Sequence, residues 1–234
     1  MNDGMNAWRL SIVIPVLDEA PCIVAALQAL QRLRARGHEV IVVDGGSADG
    51  TPALAAPLAD RVLDSPTGRA VQMNCGAAAA CGDVLLFLHA DTRLPADADH
   101  LVHEAVAGEK HCWGRFDVRI EGRSPLLAVV AFFMNWRSRL TGIATGDQAI
   151  FAAREAFARA GGFPEIALME DIAFSKRMKK LSQPVSLREV AVTSGRRWER
   201  RGTIRTIFFM WRLRLAYFFG ARPEELARLY AKQA

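Results

Sequence analysis

The chain is poor in cysteine. Its four thiols, Cys22, Cys75, Cys81 and Cys112, form no CxxC pair and no Cys/His finger spacing. That excludes a thiolate zinc module and leaves a reduced, cytoplasmic protein as the simplest reading. No stretch reaches about 18 uninterrupted apolar residues, so no membrane span is expected. Met1 to Arg9 lacks a basic segment followed by an apolar run, so no signal peptide is expected either. Internal repeats and low-complexity tracts are absent. The turn after the first apolar run, Leu17-Asp18-Glu19-Ala20, has no glycine, so the dinucleotide fingerprint is missing, which argues against NAD. What is present is ordinary globular composition over 234 residues, 51% apolar and 24% charged, enough to bury a full core. The net charge of +5 is unevenly placed, because Arg196 to Arg222 is dense in arginine. Such a tail suits a membrane surface, nucleic acid or an anionic lipid-linked substrate.

Apolar runs at 10–16, 40–43, 61–63 and 84–88 each stop at small, acidic or basic residues. The tails are Leu17-Asp18-Glu19, Asp44-Gly45-Gly46-Ser47, Asp64 to Arg69, and His89-Ala90-Asp91. Helical spacing fills the gaps: Ile23, Leu27, Leu30 and Leu33 up to Gly37, an Ala/Leu-rich helix behind Ser47, Asp49 and Thr51, and an Ala-rich helix over 68–81. The alternation predicts right-handed βαβ units and an α/β fold with a mainly parallel sheet flanked by helices. All four tails then share the carboxyl-end rim, where such sheets bind ligands. Beyond Pro95 the pattern predicts helices over 97–107, 126–140, 154–160 and 170–181. Strands are expected over 112–120 (with one wet face), 149–152 and 185–192, and C-terminal helices over 203–219 and 224–232. The expected organisation is one domain over 1–234. Residues 10–95 form its nucleotide half, 96–200 its acceptor and catalytic half, and 201–234 its amphipathic closing helices.

Asp44, at the end of the second run, can accept hydrogen bonds from a ribose or base. Alone it is equally a turn acid, and the Gly45-Gly46-Ser47-Ala48-Asp49-Gly50-Thr51 continuation favours nucleotide binding. Asp91 leaves a run so apolar that it belongs inside the sheet. There it can hold Mg²⁺ or Mn²⁺, hard ions that bridge carboxylate and phosphate oxygens, or else cap the next helix. His89 is a second ligand or a structural group. Glu170-Asp171 opens a helix behind a glycine-rich turn, where paired acids commonly serve as capping charges. Burial and the neighbouring carboxylate would also raise a carboxyl pKa, as a general base near neutrality needs. Arg196, Arg197 and Trp198 follow the last strand. They read either as an arginine fork for a leaving diphosphate with an indole wall, or as a solvated basic loop with an anchoring aromatic.

Taken in order, these motifs resemble those of family 2 glycosyltransferases. The segments are Ser11-Ile12-Val13-Ile14-Pro15 with Asp18-Glu19, Val43-Asp44-Gly45-Gly46-Ser47-Ala48-Asp49-Gly50-Thr51, Gly68-Arg69 with Asn74, and Phe87-Leu88-His89-Ala90-Asp91-Thr92. Gly161-Gly162-Phe163 leading to Glu170-Asp171, then Arg197-Trp198, complete a resemblance over roughly residues 10–200. It implies a GT-A fold and inverting transfer of a sugar from a UDP-, GDP- or dTDP-linked donor to a hydroxyl acceptor, with Mn²⁺ or Mg²⁺ as cofactor. By position it implies donor binding by Pro15, Glu19, Asp44, Gly46, Arg69, Asn74 and Ala90, and metal binding by Asp91. Asp171 would be the base beside Glu170, Arg197 and Trp198 would close over diphosphate and acceptor, and Asp147 and Gln148 would meet the acceptor. Nucleic acid is not an expected partner; a lipid-linked acceptor, peripheral contact with the inner face of a membrane, and a homodimer are.

The chain departs from the family pattern twice. His89-Ala90-Asp91 stands where Asp-x-Asp is usual, so metal contact rests mainly on Asp91. Ser194-Gly195-Arg196-Arg197-Trp198 lacks the glutamine on which processive synthases lean, which argues for single transfer. With Gly146-Asp147-Gln148, this compact form resembles a small bacterial subgroup sometimes linked with arsenosugar biosynthesis. Two rivals stand beside the transferase. A sugar-1-phosphate nucleotidyltransferase would want a glycine-rich basic loop where Leu17-Asp18-Glu19 is acidic, and a non-catalytic nucleotide-sugar binder would not need the full acid set. In the closing helix, Ile204, Phe208, Trp211, Leu215 and Phe218 share a stripe opposite Arg201, Arg205 and Arg212. That is the pattern of an interfacial helix, or of one packed in the core or a dimer.

Overall fold

The computed structural model describes residues 8–108 and 110–231, so the expectation over the first seven residues and the end of the last helix at Lys232 lie outside the described residues. β1 (Leu10–Val16), β2 (Glu39–Asp44), β3 (Arg61–Asp64) and β4 (Val84–Phe87) lie parallel in the order β3-β2-β1-β4. Between them run α1 (Ala20–Ala29), α2 (Gln31–Ala35), α3 (Thr51–Ala55) and α4 (Arg69–Ala79). Two helices replace the single one expected before Gly37. Leu30, buried in the core, bonds back to the Leu27 carbonyl three residues before it, and this tightened turn separates them. Branched residues dominate the inner strands and alternate between two cores. Ile12, Ile14, Val40 and Val42 face one side with α1, while Val13, Ile41 and Val43 face the other with α4. Gly76 lets α4 rest directly on the sheet, since a Cβ there would stand 2.4 Å from Val13 and 3.0 Å from Val43.

The sheet continues without a break into the second half, giving eight strands in the order β3-β2-β1-β4-β7-β6-β8-β5. The added elements are β5 (Thr92–Arg93), α5 (Ala98–Val106), β6 (Trp113–Glu121), α6 (Leu126–Thr141), a 3₁₀ turn (Gly146–Gln148), β7 (Phe151–Ala153), α7 (Arg154–Arg159) and α8 (Glu170–Met178). After them come β8 (Val185–Ser194), α9 (Arg196–Arg201), α10 (Thr203–Phe218) and α11 (Pro223–Ala231). β6 is not the half-wet strand expected: an interior strand with α6 packed on it, it is buried through Phe116 and alternates only from Asp117 onward. β8 runs two residues past its expected end because its pairing with β6 and β5 continues to Ser194 and Thr193. The arginine segment after it is helix α9 rather than a loop. Its start is seated where the Gly195 amide bonds the Glu121 carbonyl, so closely that a Cβ on Gly195 would stand 2.7 Å from that oxygen.

On α10 the residues turned inward are Thr203, Thr206 and Leu213, with Leu213 packed against Met169 and Leu226. The expected stripe of Ile204, Phe208, Trp211, Leu215 and Phe218 faces outward, each about 60% exposed or more. No helix among the described residues is long and apolar enough to cross a membrane.

Candidate active site

The chain leaves β1 toward β2 and β3, then returns on its other side as β4, so the rim between β1 and β4 is a switch point of the kind where open sheets bind ligands. The turns on this rim are stitched together. The Asp18 amide donates to Ser47 Oγ (2.9 Å), Glu19 N to Thr51 Oγ1 (2.9 Å), Ala20 N to Asp49 Oδ2 (2.9 Å), and Ala48 N to Asp18 Oδ1 (2.8 Å). Ser47, Asp49 and Thr51 thus clamp the first turn, and Asp49 Oδ1 also accepts from the Thr51 amide (3.0 Å) at the start of α3. Buried Gln72 donates to the carbonyls of Val16 (2.7 Å) and Val43 (2.9 Å), fixing the ends of β1 and β2. Gly46, with φ near +96°, supplies a left-handed conformation that a side chain would disfavour.

A cavity of about 620 Å³ opens on this rim. It gathers Pro15 and Glu19 from the end of β1, Arg69 from the start of α4, and His89, Ala90 and Asp91 from the end of β4. Asp147 of the 3₁₀ turn and Trp198 of α9 join them. Asp44, Asn74 and Gln148 are not among its lining residues. Asp44 accepts from the amides of Gly46 (2.9 Å) and Ser47 (2.8 Å), inside its own turn. Asn74 exchanges a pair of hydrogen bonds with the Phe163 backbone, both 2.9 Å, holding the Gly161–Phe163 turn to α4. Gln148 is fully buried and closes a capping box with Thr145. The backbone of Arg197 belongs to α9, and its side chain lies outside what the structure describes.

Asp171 stands one layer behind the cavity, accepting from the Gly146 amide at 3.1 Å. The same turn touches the metal-motif position: Asp147 Oδ1 is 3.2 Å from His89 Nδ1, and a Cβ on Gly146 would stand 2.6 Å from His89 Nε2. Only glycine lets the turn sit on the imidazole, so His89 and Asp171 are linked through one backbone segment. Glu170 is buried at 5% exposure, 3.8 Å from Arg69 Nη1. Burial first, then the charge of Asp171, raises its carboxyl pKa, against the pull of Arg69. Desolvation works against the Arg69 guanidinium, but Glu170 and Asp147 outweigh it and raise its pKa. Glu19 accepts from Cys22 Sγ (2.9 Å) and lies 3.9 Å from Arg196. Burial and that carboxylate push the Cys22 thiol up to about 11, so it is a poor nucleophile.

None of the side chains of the far wall was among the expected site residues. Val129, Val130, Phe133, Met134, Trp136 and Arg137 of α6 face Ile207, Met210, Trp211 and Arg214 of α10 across the cavity, with Tyr230 of α11 nearby. The signal was present as an arginine inside the apolar run 126–140, but only the approach of α10 gives it meaning.

The sequence model described as Glycosyl transferase family 2 matches residues 11–158, more than half of the chain. The chain belongs to this family. A Mycobacterium tuberculosis protein named PGL/p-HBAD biosynthesis glycosyltransferase is 38% identical over 114 residues, which is 46% of this chain and 44% of the relative. The match thus spans less than half of that relative's length. An uncharacterised glycosyltransferase of the same species is 27% identical over 194 residues, 78% of this chain and 73% of the relative. Among solved structures, the mannosyltransferase PcManGT from Pyrobaculum calidifontis, in complex with GDP-Man and Mn²⁺, superposes with a TM-score of 0.63 at 24% identity, covering 89% of this chain and 61% of that one. Glucosyl-3-phosphoglycerate synthase from M. tuberculosis, with Mn²⁺, UDP and phosphoglyceric acid, gives 0.58 at 21% identity, covering 80% and 70%. At these identities the structures bear on the fold, which is GT-A. The family, as its description says, is one of glycosyl transferases.

The residues present suit a divalent cation of a particular kind. Asp91 faces the cavity with a carboxylate that makes no hydrogen bond among the described residues, and Asp147 offers a second hard oxygen donor there. No group of three or more His, Cys, Asp or Glu able to enclose an ion occurs among the described residues. One or two carboxylates completed by phosphate oxygens is how Mg²⁺ and similar ions are commonly held.

Proposed function

We propose that the chain is an inverting, metal-dependent glycosyltransferase that moves a sugar from a nucleoside-diphosphate donor to a hydroxyl acceptor by direct displacement. One observation carries the reading: Glu19, Arg69 and Asp91 converge on a single cavity at the sheet's switch point, with Glu170 and Asp171 immediately behind its lip. Glu19 and the rim turns would hold the nucleoside. Arg69, whose charge is secured by the surrounding carboxylates, would take up negative charge growing on the leaving diphosphate. Asp171 would accept the acceptor's proton as its oxygen attacks the anomeric carbon from the face opposite the diphosphate. Its Oδ2 already accepts from Gly146 N, which fixes the carboxylate's orientation. Asp91, with Asp147, would hold the cation, which when bound neutralises diphosphate charge. Trp198 would provide an indole wall to the sugar.

The relatives' ligands make GDP- and UDP-linked sugars the first donors to offer. Incubation with these and dTDP-linked sugars plus Mn²⁺ should release nucleoside diphosphate. Pyrophosphate chemistry with sugar-1-phosphate would identify a nucleotidyltransferase instead, and binding without turnover of any donor would leave only a nucleotide-sugar binding protein.

A further inference from the structure

The mechanism above leaves two arginines unused. Arg137 and Arg214 line the same cavity, one on α6 and the other on α10. Nε and Nη2 of Arg137 are buried with no hydrogen-bond partner, and its remaining contact is a long 3.4 Å bond from Nη1 to the Ile143 carbonyl. Arg214 makes no hydrogen bond or ion pair among the described residues. Burial, reinforced by the charge of Arg214, lowers the Arg137 pKa to about 10, and Asp171 only partly offsets this. The two guanidinium groups repel each other, and the buried donors of Arg137 lack the partner such groups require. An anion placed between them would satisfy both.

Position decides whose anion it is. Direct displacement puts the leaving diphosphate and the acceptor on opposite faces of the anomeric carbon. Arg69 and Asp91 reach the cavity from the strand-end side, whereas Arg137 and Arg214 reach it from the facing helices α6 and α10. An anion at Arg137 therefore belongs to the acceptor. The surrounding wall adds the second half of its chemistry. Phe133, Trp136 and Trp211 line the cavity yet are each about half exposed or more. Phe133 contacts both Phe132 (5.5 Å between ring centroids) and Trp136 (6.4 Å), so the apolar wall runs outward without a break. The exposed faces of α6 and α10 carry it on through Leu140, Phe208 and Leu215.

We infer that the acceptor is a membrane amphiphile whose phosphate or carboxylate, adjacent to the hydroxyl that attacks, is bound by Arg137 and Arg214 while its apolar chain leaves the cavity between α6 and α10. This rests on the glycosyl-transfer reading and names the acceptor class within it.

The test uses octyl phosphate below its micelle concentration, with octanol and inorganic phosphate as controls, and follows tryptophan fluorescence of the whole chain. Octyl phosphate should bind at least about tenfold more tightly than either control, the difference one charge-assisted contact supplies. R137M/R214M should lose that preference while binding nucleoside diphosphate normally, and R137K should keep part of it. Methionine fills similar space and removes an unpaired buried charge, so the variant should fold at least as stably, as its thermal midpoint will show. Equal binding of octyl phosphate and octanol means that no anion is read, and equal binding of octyl phosphate and inorganic phosphate means that no chain is held. Loss of nucleotide affinity in R137M/R214M would assign the arginines to the donor. Each of these overturns the inference while leaving glycosyl transfer intact. Failure of the wild type to bind any nucleoside diphosphate would instead remove the underlying reading.

Discussion

The strand-end wall of the cavity presents Glu19, Arg69 and Asp91, each delivered by a turn that follows a strand and held there by hydrogen bonds: Ser47 and Thr51 to the Glu19 turn, Thr67 to the Gly45 carbonyl, and the Ser194 amide to the Asp91 carbonyl. The opposite wall presents aromatic and aliphatic side chains from α6 and α10, with two arginines and few polar partners. One wall is a set of preorganised dipoles and charges, suited to a polar, highly charged group. The other is an apolar surface with a concentrated positive charge, suited to a molecule that is part hydrocarbon and part anion. On the proposed reading, the two walls would serve two chemically unlike substrates. Altering one wall should leave the function of the other in place.

The largest effect should come from the base. Asp171→Asn keeps the shape of the side chain and its bond to Gly146 N, so donor affinity should stay close to wild type while transfer falls by about 10²–10⁴-fold. Transfer within about tenfold of wild type, by nucleoside diphosphate release with acceptor present, would remove Asp171 from that role.

Next comes the cation. Because one or two carboxylates make a weak site alone, Mn²⁺ should bind the free protein poorly and at least about tenfold better once nucleoside diphosphate is present. Asp91→Asn should abolish this gain in calorimetry. Tight Mn²⁺ binding without nucleotide would show that His89 or Asp147 completes a resident site.

The apolar wall should show a smaller effect. Trp136→Ala and Trp211→Ala each remove a half-exposed indole, for which about 1 kcal/mol, or roughly fivefold, is expected in affinity for octyl phosphate. Nucleotide affinity should not change. Equal losses on both ligands would mean that the walls act as one.

The smallest effect concerns Glu170, whose pKa is raised in the fold above its ordinary 4.5. The native state then holds a proton that the unfolded chain has released, so this contribution to stability is complete below about pH 4.5 and is lost as pH rises through the folded value. Glu170→Gln does not titrate. Its thermal midpoint relative to wild type should therefore rise across that window, and a constant difference would show that Arg69 cancels the burial penalty.

Much of the first wall was legible in the chain. Branched apolar runs followed by small and acidic residues placed Glu19, Arg69, Ala90 and Asp91 on one rim, because strand alternation and right-handed crossovers leave little freedom there. Asp44, Asn74 and Gln148 were read from the same patterns, and in the fold their side chains bond the backbone of turns and a cap. A polar residue near a site looks the same in sequence whether it meets ligand or backbone. Helix α9 and the extension of β8 escaped the reading because they depend on strand pairing with β6 and on the seat of Gly195 at Glu121.

The sequence by itself therefore determined the α/β framework, the family and the polar rim, since these follow from local periodicity and from chemistry concentrated at strand ends. The tertiary structure alone decided the second wall. Arg137 and Arg214 lie far apart in the chain, one in the apolar run 126–140 and the other in the amphipathic helix over 203–219. Their shared cavity, their missing partners and the outward stripe of α10 exist only once α10 packs on α6 through Ile207 and on α11 through Leu213 and Leu226. Contacts between distant helices are set by shape and burial, which no short stretch of sequence records.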